Sequence, residues 1–76
     1  MHRISAPAKS GLTGEAVNQD VAQFMCAEIL GCKPEDMIEV VSPDGGTTYC
    51  YATQADADAD TDGAYAVQYW QDGAAR

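Results

Sequence analysis

Apolar residues first recur at helical spacing between residues 13 and 31. Val17, Val21, Phe24, Met25 and Ile29 fall on one face, whereas Asn18, Gln19 and Gln23 fall largely away from it. Thr13 offers a hydroxyl that can cap the first turn, and Glu15 would lie in that turn, where the helix dipole favours a negative charge. Gly31 stands where a left-handed residue closes a helix, and Pro34 prevents continuation. The pattern predicts one helix over 13–31.

The period then changes. Met37 to Ser42 is rich in Ile and Val and predicts a strand. Pro43-Asp44-Gly45-Gly46 predicts a tight turn, because Asp-Gly tolerates positive φ. Thr47 to Thr53 predicts the returning strand, with Val40 facing Tyr49 and Ile38 facing Tyr51. Those four would share one face, and Glu39 and Cys50 the other. Gln54 to Gly63 is expected to be an Asp-rich loop. Ala64 to Trp70 predicts a third strand, in which Tyr65, Val67 and Tyr69 alternate with Ala66, Gln68 and Trp70.

Residues 1–12 are polar and small, with Pro7 and Gly11. They are expected to be a flexible segment or an edge strand near His2 to Ser5. Residues 13–71 would form a single α+β domain, and 72–76 a frayed tail. The fold class expected is one α-helix packed on a three- to four-stranded antiparallel β-sheet. A chain of 76 residues makes a small core, which self-association would support.

Charge changes the picture more than composition does. Apolar residues make up 46%, an ordinary globular share, but twelve acidic residues face four basic ones, giving −8 at pH 7. From Pro34 to Ala75 there is no basic side chain, whereas that stretch carries Glu35, Asp36, Glu39, Asp44, Asp56, Asp58, Asp60, Asp62 and Asp72. Direct nucleic-acid binding and binding to an anionic membrane both need cations, so neither is expected. A basic protein surface or a cation is the natural partner. Three cysteines, a polar start and no long apolar stretch point to a cytoplasmic protein with free thiols.

Candidate chemistry is sparse. Asp58-Ala59-Asp60-Thr61-Asp62-Gly63 resembles the first half of an EF-hand calcium loop, in which alternating carboxylates converge on one cation. The twelfth position of such a loop would be Tyr69, which cannot replace the usual bidentate Glu. A calcium module using Asp58, Asp60 and Asp62 is therefore the alternative reading, beside a solvated loop. His2 stands on a segment expected to be mobile. The cysteines form no C-x-x-C pair, and no phosphate loop is present, so no enzyme and no cofactor are expected. Trp70 would lie opposite Tyr65 and Tyr69, exposed or at an edge, where it suits an interface or packing at the rim of the core.

The helix carrying Val17, Val21, Phe24 and Met25, followed by a hairpin through Asp44-Gly45-Gly46, resembles small acidic phage-encoded inhibitors of the anti-CRISPR kind in size, charge and order of elements. That resemblance implies a protein that acts in the host cytoplasm on an RNA-guided CRISPR effector complex and blocks its access to DNA. The acidic array itself points to a non-enzymatic inhibitor that is a DNA mimic, beside the plainer reading of a solubilising surface. The residues expected to meet the basic surface of that complex are Glu35, Asp36, Glu39, Asp44, Asp56, Asp58, Asp60, Asp62 and Trp70. An accessory subunit of a larger assembly is a further alternative, and a homodimer is compatible with each reading.

Overall fold

The amino terminus alternates polar and apolar residues just enough to make a strand, and in the computed structural model it is one. The structure describes residues 1–60, 63 and 65–71. Strand β1 spans His2–Ala6 and turns back through Pro7 to Gly11 into β2, Leu12–Ala16. Helix α1 follows over Gln19–Leu30, then a single 3-10 turn over Pro34–Asp36. Strands β3, Ile38–Val41, and β4, Thr47–Tyr51, form a hairpin. A short helix α2 spans Gln54–Ala59, and β5, Val67–Gln71, completes the order.

The architecture is α+β, with one main helix on an antiparallel sheet of five strands in the order β2-β1-β5-β4-β3. The sheet therefore has more strands than the three or four expected. The extra strand comes from the segment expected to cap the helix. Thr13 pairs with Ser5, and Glu15 pairs with Arg3. The N-cap is instead Asn18, whose side chain accepts the Val21 N–H at 3.0 Å. Strand β1 is not an edge, because β2 covers one side of it and β5 the other. His2 is correspondingly held in a strand, opposite Ala16 and Gln71.

Cross-strand partners share a face, so the registers divide the sheet's side chains into two sets. One face carries Ile4, Ala6, Ala16, Cys50, Val67 and Tyr69, all buried, beneath α1. The helix meets them with Ala22, Cys26 and Ala27. These small side chains bring the helix close, so the expected apolar stripe is not the buried one. Val17 is 73% exposed and Phe24 57% exposed, while Met25 and Ile29 pack at the margin. Gly31 closes the helix at φ 79°, as expected, with its N–H on the Ala27 and Glu28 carbonyls.

The hairpin register is as expected: Val40 faces Tyr49 and Ile38 faces Tyr51. Their face is the one turned away from α1, however. Glu39 and Cys50 are on the α1 side, where Glu39 accepts from Gln23 at 2.9 Å and from the Tyr69 hydroxyl at 3.1 Å. The third expected strand begins at Val67 instead, after a turn containing Tyr65.

Candidate functional site

The carboxylates singled out above are distributed over both ends of the sheet. Ile38 and Tyr51 are cross-strand partners at one end of the hairpin. The 3-10 turn enters β3 there, and α2 leaves β4 there. Glu35 and Asp36 on the turn, and Asp56 and Asp58 on α2, therefore gather at this end, all exposed. Asp44 lies at the opposite end, in the hairpin turn. It accepts from the Ser42 hydroxyl at 2.5 Å and from the Gly46 N–H at 2.9 Å. Those two bonds hold its carboxyl below the usual carboxylate range.

The stretch expected as an Asp-rich loop is largely helical. Thr53 caps α2 by accepting the Asp56 N–H at 3.2 Å, and Asp60 closes it with its N–H on the Asp56 carbonyl. Alanines at 55, 57 and 59 have the highest helix propensity of any residue, and Thr53 followed by Asp56 is a start signal. Both were present in the sequence, overshadowed by the alternating aspartates. Asp58 consequently sits on the helix and bonds Gln54 at 2.9 Å. Asp60 turns elsewhere: its carboxylate accepts from the Tyr51 hydroxyl at 3.1 Å and from the Tyr65 N–H at 3.0 Å. Asp62 and the expected tail over 72–76 lie outside the described residues. Among those described, no group of three His, Cys, Asp or Glu is placed to hold a metal.

The acidic residues thus fall into two kinds. Glu39, Asp44 and Asp60 are engaged within the fold. Glu35, Asp36 and Asp56 have no side-chain partner among the described residues and project into solvent. The acidic end also holds two cations. Lys33 precedes the 3-10 turn, and Lys9 lines a recess of about 410 Å³ with Leu30, Tyr51, Asp56, Asp60 and Tyr65. Burial, with Asp60 accepting its proton, pushes the Tyr51 hydroxyl up to about 12.

Trp70 is half-buried on the side away from α1, opposite to Tyr69, as expected. It is not at an edge, because β5 is the central strand. Arg3 and Thr47 flank it in one cross-strand row, and Arg3 pairs with Glu15 at 3.4 Å.

All three cysteines are free, with Cys26 and Cys50 buried and Cys32 half-buried. The Cys26 thiol beside it, together with burial, raises the Cys50 thiol far above its ordinary range, which suits core packing rather than nucleophilic attack. No helix among the described residues is long and apolar enough to cross a membrane. The chain matches no protein-family model, no curated protein and no solved structure.

Proposed function

We propose that this chain is a non-enzymatic protein-binding inhibitor that meets a basic surface of a nucleic-acid-binding partner through its acidic end. The observation that carries the reading is the gathering of Glu35, Asp36, Asp56 and Asp58 on two short helical segments at one end of the β3–β4 hairpin. Fixed, exposed carboxylates on a rigid scaffold can replace phosphates against lysines and arginines. The net charge of −8 adds long-range attraction to such a partner. Asp60 supports this end by tying the end of α2 to Tyr51, whereas Glu39 and Asp44 are engaged elsewhere in the fold. An RNA-guided effector complex is the partner class that the anti-CRISPR-like resemblance implies, and it is the first to test.

The test is binding to purified RNA-guided effector complexes at about 0.05 M and about 0.5 M salt, with a fourfold Glu35→Lys, Asp36→Lys, Asp56→Lys, Asp58→Lys variant. Binding is expected to weaken by about tenfold or more with either change. Binding that is indifferent to both would remove the electrostatic reading.

A further inference from the structure

The sheet has two faces and one long helix. Helix α1 covers the first face. On the second, the described residues cover only the β3–β4 corner, where Asp60 and Gly63 lie beside Tyr49 and Tyr51. Among the described residues, the rest of that face is open. Its centre is Trp70, on the central strand. Around it in the cross-strand rows stand Arg3, Ser5, Thr13, Glu15, Thr47 and Gln68. A shallow recess beside Trp70 is lined by Arg3, Ser5, Thr13 and Glu15.

Charge decides what can cover it. Among the described residues, the open face holds one acid and one base, Glu15 and Arg3, already paired at 3.4 Å. It therefore carries no net charge in a chain of −8. A basic partner finds no array of carboxylates here. A second copy of this chain, by contrast, is repelled by the acidic end and can approach closely where the charge cancels. A half-buried Trp flanked by Ser5, Thr13, Thr47 and the mutually paired Arg3 and Glu15 also suits an interface centre, where Trp is enriched.

We propose that the open half of the sheet, centred on Trp70 and bounded by the Arg3–Glu15 pair, is a two-fold interface between two copies of this chain. The site is separate from the acidic end, which stays exposed in the pair and is presented twice.

Sedimentation equilibrium from about 1 to about 300 µM tests this, with the emission of Trp70 as a second readout. The chain has one Trp, so any shift belongs to this face. The expected result is a monomer–dimer equilibrium with a blue shift on association. Added salt should strengthen it by screening two like-charged copies, the reverse of its effect on a basic partner. Trp70→Thr keeps a strand-forming residue and should weaken the dimer by about tenfold or more. Thr13→Glu, at an exposed edge position, tests the same face without touching packing and should weaken it several-fold. The fourfold lysine variant of the acidic end should dimerise at least as well as the parent. A monomer throughout the range, at low and high salt, overturns the proposal. So does a dimer that both face variants leave unchanged.

Discussion

The two faces of the sheet are built on opposite principles. Between α1 and the sheet many side chains are small: Ala22, Cys26 and Ala27 on the helix and Ala6, Ala16 and Cys50 on the strands let the two approach closely. Ile4, Val67, Tyr69 and Met37 add bulk, and Met25, Ile29 and Leu30 pack at the margin. On the other face stand large side chains: Tyr51 is buried, while Tyr49 and Trp70 are half-buried. A close-packed layer of small residues has little slack, whereas a half-covered layer of large ones tolerates change and offers contact area. Stability is therefore concentrated on the first face and availability for binding on the second.

The largest expected effect breaks the covered face. Ile4 is 2% exposed on an interior strand. Ile4→Ala should cost roughly 3 kcal/mol, a large part of what so small a domain has. Phe24→Ala, on the exposed side of α1, should cost under about 1 kcal/mol despite removing more atoms, because Phe24 is 57% exposed. Urea unfolding of both variants decides the matter. An equal cost would mean that α1 is rotated from the orientation described.

A smaller effect separates the covered corner of the second face from its open half. Gly63 has φ +72°, and an added Cβ would stand 2.9 Å from the Tyr49 ring. Gly63→Ala combines backbone strain with a clash and should cost about 1–3 kcal/mol. Pairing it with Tyr49→Ser should relieve the clash and leave the strain, recovering part of the loss. If the double variant is no better than the sum of the singles, Gly63 does not rest on Tyr49.

The same contrast explains what the sequence discloses. The hairpin register was legible because Asp44-Gly45 specifies the turn, and the cross-strand pairing follows from it. Which face of the hairpin meets α1 was not, since both faces carry apolar residues and alternation cannot choose between them. The helix was placed but misoriented, because Val17, Val21 and Phe24 outweigh Ala22, Cys26 and Ala27 in hydrophobicity although the small residues are the ones buried. The start of α1 hid behind Thr13, a plausible cap, though Asn18 is at least as good and Asp20 follows it. Strand β1 is short and ends in alanine, so its interior place depends on β5, far along the chain. Of the candidate site, acidity and the side of the sheet that Trp70 occupies were visible. Which carboxylates the fold engages was not, since the bonds of Glu39 and Asp60 reach residues at a distance in sequence.

The smallest expected effect tests how firmly α2 is tied to the second face. Tyr51 is buried on β4, and its hydroxyl bonds the Asp60 carboxylate where α2 ends. Tyr51→Phe removes that hydroxyl with little change of shape and should cost about 1 kcal/mol. The same contact sets a pH dependence. The Tyr51 hydroxyl rises from an ordinary 10 to about 12 in the folded chain, through burial first and the bond to Asp60 second. Folding thus favours the protonated phenol. Its contribution is complete below pH 10, and it declines between about pH 10 and 12, where the unfolded chain gives up the proton that the folded chain keeps. Melting curves of parent and Tyr51→Phe across that window should converge as pH rises. If they stay parallel, the hydroxyl is not held by Asp60, and the end of α2 is docked by packing against β3 and β4 instead.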